Sequence, residues 1–270
     1  LTHWKLTLSY DGTAFHGWQV QPHRPTVQGT LAAALEQLTG ERLLPQGSGR
    51  TDAGVHALGQ VVSFSLAAPL SQGNLLRALN RVLPRSIRVL RAEAVPESFH
   101  ARHGAVRKSY EYRIFERRVD DVGAETMAEE ICPPFLAPYV WECHWGLEIG
   151  GMRAAAAMLC GTHDFTSFAA ADAELGVREG EASGPNPVKT LLESEVAREG
   201  GLLLYRVRGT GFLHHMVRNI VGTLVDIGRG HVQVADMARI LAARQRSAAG
   251  PTAPARGLFL VSVEYDESSH

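Results

Sequence analysis

Apolar and polar residues alternate over Lys5–Tyr10, with Leu6, Leu8 and Tyr10 on one face and Lys5, Thr7 and Ser9 on the other. That pattern predicts a half-buried strand, closed by the turn pair Asp11-Gly12. Thr26 is placed to cap a helix whose apolar positions Val27, Leu31, Ala34, Leu35 and Leu38 recur at helical spacing until Gly40 stops it. A short strand over Arg42–Gln46 and a longer one over Gln60–Leu66 follow. Ser71 caps a second helix through Leu75, Leu76, Leu79, Val82 and Leu83, ended by Pro84, and Ile87–Val95 is strand again. The order is β-α-β-β-α-β, the split-βαβ or ferredoxin-like pattern.

The second half repeats that order without repeating the sequence. Ser109–Phe115 is a strand with Tyr110, Tyr112 and Ile114 on one face, and Gly151–Cys160 an alanine-rich helix. Val188–Ala197 and Leu202–Arg208 form a hairpin across Arg198-Glu199-Gly200-Gly201. Leu213–Ile227 is a strongly apolar helix, Val232–Arg244 another, and Leu258–Tyr265 a closing strand. Two linkers stand out: Val119–Pro138, rich in acids and proline, and Ala169–Pro187, long and polar enough to be mobile. The expected architecture is α+β, with one ferredoxin-like half over 1–108 and a second over 109–270. A chain of 270 residues has room for both.

Composition excludes several classes. At 45% hydrophobic and 20% charged residues the chain is globular rather than disordered or fibrous. Cys132, Cys143 and Cys160 form neither a CxxC pair nor a zinc pattern, and no HExxH or P-loop motif occurs. No apolar run approaches the ~18 residues of a membrane span, and Leu1-Thr2-His3-Trp4-Lys5 lacks a signal-peptide core. A cytoplasmic protein without a membrane association is the expectation.

A formal net charge of −1 does not by itself suggest nucleic acid, but its distribution does. Arg77 to Arg118 holds eleven Lys/Arg against four Asp/Glu, whereas Val119 to Glu148 holds seven acids and no base. Ordinary surface charge is one reading; the other is a face that meets a polyanion, with Arg102, Arg107 and Lys108 as candidate RNA contacts.

Three segments carry candidate chemistry. In Gly47-Ser48-Gly49-Arg50-Thr51-Asp52-Ala53-Gly54-Val55-His56-Ala57, the glycines mark a tight loop that presents Arg50 and Asp52. Asp52 is either an Asx-turn residue or a carboxylate held near a cation that favours its ionised form, fit to act as nucleophile or base. In Arg107-Lys108-Ser109-Tyr110-Glu111-Tyr112-Arg113, the tyrosines either pack in the core or form a base-stacking platform beside cations. In Gly209 to Asn219, Arg218 borders the apolar stripe Leu213, Met216, Val217, Ile220, Val221 and Leu224, on the flank shared by His214 and Gly222. An arginine there calls for a carboxylate partner. His214-His215 is no metal pair if helical, since neighbours on a helix diverge by about 100°.

The segment Gly49 to Ala57 resembles the catalytic signature of the tRNA pseudouridine synthase A family. The opening Tyr10-Asp11-Gly12-Thr13-Ala14-Phe15-His16-Gly17-Trp18-Gln19 is similar too. So, in order, are Phe99-His100-Ala101-Arg102, Tyr110-Glu111-Tyr112-Arg113-Ile114, His163-Asp164-Phe165-Thr166-Ser167-Phe168, Phe212 to Gly222, and Gly257-Leu258-Phe259-Leu260. The resemblance implies that Asp52 is the essential aspartate, Tyr110 the tyrosine stacking on the target base, Arg218 the arginine paired with the aspartate, and Arg50 the basic residue of the same loop. It implies two α/β halves with joined, mostly antiparallel sheets, a central active cleft, a homodimer, and action on uridines 38, 39 and 40 of the tRNA anticodon arm without cofactor or metal. Lys189 stands where that family has arginine, which keeps the charge but not a bidentate contact.

Two rival readings of the residues differ in what they explain. A non-catalytic RNA-binding protein accounts for Tyr110 and the basic stretch but not for Asp52 with Arg218. A carboxylate-dependent hydrolase requires a second acid beside Asp52, and the sequence offers none.

Overall fold

A computed structural model of the chain describes residues 1–117, 131–170 and 186–266. It forms two compact units, Leu1–Ser109 with the segment from Phe259 onward, and Tyr110–Leu258. The first unit opens with β1 (Thr2–Tyr10), in which Trp4, Leu6, Leu8 and Tyr10 are buried, as alternation requires. Thr26 caps α1 (Val27–Thr39) by accepting from the Gly29 N–H, and Gly40 ends it at φ 74°, a conformation glycine adopts without steric cost. Next come β2 (Gln46–Gly47), β3 (His56–Leu66), α2 (Gln72–Val82), capped by Ser71, and β4 (Ile87–Val95). β1 lies antiparallel between β3 and β4, with Leu6 opposite Val62 and Ala92, and β2 pairs antiparallel with β3. The order β4-β1-β3-β2 is the ferredoxin-like one. Trp4, Leu6, Leu31, Leu35, Leu75 and Leu79 are at most 1% exposed, and each leucine so buried contributes roughly 1.5–3 kcal/mol.

β5 (Ala105–Glu116) runs across the break between the units. The second unit continues with β6 (Trp141–Cys143), α3 (Ile149–Ala157), β7 (Gly161–Asp164), β8 (Val188–Glu199), β9 (Leu202–Gly209), α4 (Met216–Gly228) and α5 (Asp236–Ala243). Its strand order is β5-β9-β8-β7. Gly200 and Gly201, at φ 56° and 83°, make the two-residue turn between β8 and β9. α4 is buried along almost its whole length. The last strand, β10 (Leu258–Tyr265), returns to the first unit, where Phe259 and Leu260 pair in parallel with His56 and Ala57 of β3. The α+β class with mostly antiparallel pairing is as expected. Among the described residues no helix is long and apolar enough to cross a membrane.

Several element boundaries differ from expectation, each for a local reason. Arg42–Pro45 is not strand, and only Gln46–Gly47 pairs with β3. Pro45 has no N–H to give and its carbonyl accepts from Gln28 Nε2, while the neighbouring Glu41 carboxylate takes the N–H groups of Ala67 and Ala68. β3 begins at His56, because β10 supplies a partner there. α3 begins at Ile149, since the Glu148 carboxylate accepts from the N–H groups of Gly150 and Gly151, and ends at Ala157, after which Leu159 and Cys160 bond three residues back to Ala156 O and Ala157 O. α4 begins at Met216 rather than Leu213, because His215 adopts φ 60°, outside the helical region. α5 is confined to Asp236–Ala243, where Arg244 at φ 49° stops it. β6 and β7 have no signal in the sequence; three and four residues are too few to show a period. Most of both expected linkers, and Arg118 of the basic stretch, lie outside the described residues.

Candidate active site

Several bonds within the first unit hold the loop carrying Asp52. Gln60 and Ser48 are fully buried; the Ser48 hydroxyl donates to Gln60 Oε1 at 2.6 Å, and Gln60 Nε2 donates to the Gly49 carbonyl at 3.1 Å. Lys108 Nζ donates to the Ser48 carbonyl at 2.8 Å. On the other side, the Tyr10 and Thr51 hydroxyls share a hydrogen bond of 2.8 Å, and the Trp18 N–H donates to the Thr51 carbonyl at 3.0 Å. The Val55 N–H donates to the Asp52 carbonyl at 3.1 Å, closing the turn, and the Gly54 N–H reaches Phe15 O at 3.3 Å. Burial pushes the Tyr10 phenol up to about 12, so it stays neutral and keeps this role at any ordinary pH.

Backbone approach explains the glycines of the opening segment. A Cβ on Gly12 would sit 2.0 Å from the Val55 carbonyl oxygen, and Gly17, at φ 82°, would bring one to 2.6 Å from Thr51 O. The Gly12 N–H donates to His56 Nδ1 at 3.0 Å, and the buried His56 ring stacks on Phe259 at 4.7 Å. Residues 10–18 are therefore the bed on which residues 51–56 lie. Losing one buried partner of such a bond costs about 1–3 kcal/mol. A carboxylate on a loop so fixed is preorganised, which is what catalysis by a single group requires. Asp52 is half-buried within it and Arg50 is exposed.

The other candidates belong to the second unit. Tyr112 is fully buried and its hydroxyl donates to Pro254 O at 2.7 Å. Tyr110, two residues earlier on the same strand, is only half-buried, and its ring meets Phe212 edge-on at 4.9 Å and 76°. Core packing thus describes Tyr112, while Tyr110 keeps a ring of fixed orientation near the start of α4. Arg218, in the first turn of α4, donates from Nε to the Ala253 carbonyl at 2.8 Å, and the Ala253 N–H returns a bond to Arg218 O at 3.1 Å. Arg218 and Gly222 share the flank read from the sequence, and a Cβ on Gly222 would lie 1.6 Å from Pro251 O. His214 and His215 precede the helix, and their rings stack at 4.0 Å rather than diverging.

The basic candidates separate by environment. Arg102 is exposed on the turn after Phe99, and Arg107 faces Glu264 at 3.5 Å across exposed surface. Lys108 is half-buried with its ammonium on the Asp52 loop. The roles of Tyr10, Ser48, His56 and Gln60 in holding the loop escape sequence reasoning. Lys189, on β8, is half-buried, and desolvation lowers its ammonium pKa.

A preorganised aspartate loop on a ferredoxin-like scaffold narrows the class, and comparison with known proteins settles it. Residues 7–103 and 155–266 match the family model described as tRNA pseudouridine synthase, and the chain belongs to that family, whose members are isomerases. Among its relatives, tRNA pseudouridine synthase A of Solibacter usitatus is 48% identical over 261 residues, covering 97% of this chain and 98% of that protein. The protein of the same name from Moorella thermoacetica is 48% identical over 263 residues, with 97% and 98% covered. That from Rhodopseudomonas palustris is 43% identical over 263 residues, with 97% and 99% covered. The family membership read from the motifs is borne out.

Proposed function

We propose that the chain isomerises uridines 38, 39 and 40 of the tRNA anticodon arm to pseudouridine, acting as a cytoplasmic homodimer, with Asp52 as the essential carboxylate. The rigid seating of the Asp52 loop on residues 10–18 carries this reading, together with the family match across both units. The reaction breaks the N1–C1′ bond, turns the uracil and joins C5 to C1′, so no water need be activated and one carboxylate suffices where a glycosidase uses two. Addition of Asp52 to C1′, its addition to uracil C6, and removal of a sugar proton to give a glycal are all compatible with one carboxylate on a fixed loop. Arg218 orients Asp52 through the planar fork of its guanidinium, and Arg50 supplies positive charge on the same loop. Neither cofactor nor metal enters the scheme.

A base in the arm must leave its stack, at a cost of roughly a few kcal/mol. Stacking on Tyr110, worth about 1–3 kcal/mol, offsets much of that. Tyr110→Phe is then expected to keep single-turnover activity, and Tyr110→Ala to lose about 5- to 150-fold. Should Phe be as inactive as Ala, the hydroxyl moves a proton and stacking is not its main task.

The test of the function is incubation with unmodified tRNA followed by mapping of pseudouridine. Product at positions 38–40 is expected; release of free uracil identifies a hydrolase, and binding without product an RNA-binding protein, either of which overturns the proposal. For the approach to tRNA, Arg102→Gln combined with Arg107→Gln should weaken binding and flatten its log–log salt dependence by about 0.7–0.9 for each phosphate no longer neutralised. An unchanged slope makes those residues ordinary solvated surface. Lys108 is kept out of this pair because changing it also removes the bond to Ser48.

A further inference from the structure

Arg218 takes its side-chain direction from a carbonyl that belongs to no helix or strand. Ala253 lies in an irregular segment between the 3-10 turn Arg246–Ala248 and β10, yet it is 1% exposed and bonded to Arg218 through both its N–H and its C=O. Something other than a ladder must fix that segment. The Arg246 guanidinium does so. One amino group, Nη1, donates to the Gly250 carbonyl at 2.9 Å and reaches Ala249 O at 3.4 Å. The other, Nη2, donates to Thr252 Oγ1 at 3.0 Å and to Asn219 Oδ1 at 3.1 Å.

Asn219, the residue after Arg218 on α4, is fully buried and ties the arrangement to the helix. Its Oδ1 also accepts from the Thr252 hydroxyl at 2.7 Å, and its Nδ2 donates to Phe168 O at 2.9 Å. One turn on, Thr223 accepts from the Gly250 N–H at 2.9 Å. Among the described residues no carboxylate pairs with Arg246; its acceptors are two carbonyls, an amide oxygen and a hydroxyl. A planar fork bonded in this way works as a spacer of fixed geometry rather than as half of an ion pair. An arginine side chain carries about 2 kcal/mol of rotamer entropy, so one fixed in advance by Ala253 is better prepared than one that must be ordered by substrate.

We propose that Arg246 is a positioning residue for Arg218, holding residues 249–253 against α4 so that the Arg218 guanidinium is oriented before tRNA arrives. This rests on the reading of Arg218 as the partner of Asp52. The experiment is single-turnover pseudouridine formation on unmodified tRNA transcript, with tRNA binding and thermal unfolding measured beside it. Arg246→Lys, whose single ammonium cannot span Gly250 and Asn219 together, is expected to slow the reaction about 10- to 100-fold and leave tRNA affinity unchanged. In the Arg218→Met background the same change should slow the residual reaction no further, while its effect on melting temperature is the same in both backgrounds. Thr252→Val, which removes one bridge of the same knot, should repeat the pattern if the Lys variant folds poorly. A full rate in Arg246→Lys and Thr252→Val, or an equal fold-loss with and without Arg218, overturns the proposal. A wild-type rate in Arg218→Met would instead strike the catalytic reading of Arg218, and the positioning role would fall with it.

Discussion

Asp52→Asn is expected to fold, to bind tRNA as the unchanged protein does, and to form no pseudouridine above background. The bonds that seat the loop run through the hydroxyls of Ser48 and Thr51, the Gln60 amide, the Lys108 ammonium and the backbone of residues 49–55, and the Asp52 carbonyl, which closes the turn, is untouched by the change. Those bonds and the size of the side chain are kept, so the variant should remain folded, which thermal unfolding checks. On the proposed role the change removes the reacting carboxylate, and losses for such groups are on the order of 10³- to 10⁶-fold. Mapping of pseudouridine with enzyme in excess over tRNA is the check. Substantial product from the purified variant would give the essential role to another group.

The second large effect is expected at Gly222. A methyl group there would lie 1.6 Å from the Pro251 carbonyl oxygen, and that oxygen is backbone, not the end of a flexible side chain. Gly222→Ala must push residues 250–253 away from α4. That breaks the bond from the Gly250 N–H to Thr223, at 2.9 Å, and the bond from the Ala253 N–H to Arg218, at 3.1 Å. Two broken bonds of roughly 1 kcal/mol each and overpacking of about 1–3 kcal/mol give a destabilisation of about 3–5 kcal/mol, readable by urea or thermal unfolding. Activity should fall further than stability accounts for, because the same movement takes the Ala253 carbonyl from Arg218. A destabilisation under about 1 kcal/mol with full activity would mean that the helix and the segment separate easily, and the close approach would then have no bearing on the site.

The parts of this protein that can be read from its sequence are those set by local pattern. Alternation defines β1; Thr26, Gly40 and Ser71 define the ends of α1 and the start of α2; and Gly200-Gly201 marks the hairpin. These features depend on neighbours within a few residues. The seating of the Asp52 loop is not legible, because its partners are remote: Tyr10 is 41 residues from Thr51, and Lys108 is 60 from Ser48. Motifs single out the glycines of residues 12 and 17, but only the fold shows that they admit the backbone of Val55 and Thr51. The start of α4 departs from expectation for a similar reason. Leu213 continues the apolar stripe in sequence, yet the left-handed His215 interrupts the helix, and neither the stripe nor the histidine pair announces it. Lys108 shows what composition leaves out: a basic run makes it a candidate phosphate contact, and only the fold shows that its ammonium also donates to a loop carbonyl.

The return of β10 to the first unit bears on how the protein is made. Leu1–Ser109 leaves the ribosome before the second unit, but Phe259, against which the His56 ring stacks, is separated from it by the whole of Tyr110–Leu258. At about 5–20 residues per second, that stretch takes roughly 7–30 s to synthesise. Throughout that interval the nascent first unit lacks the strand that pairs with His56 and Ala57, so the platform under the Asp52 loop is closed only after the whole of Tyr110–Leu258 has been translated. A chain made only as far as Leu258 therefore holds Asp52 on unfinished ground, and the loop's support is completed by a strand from the far side of the second unit.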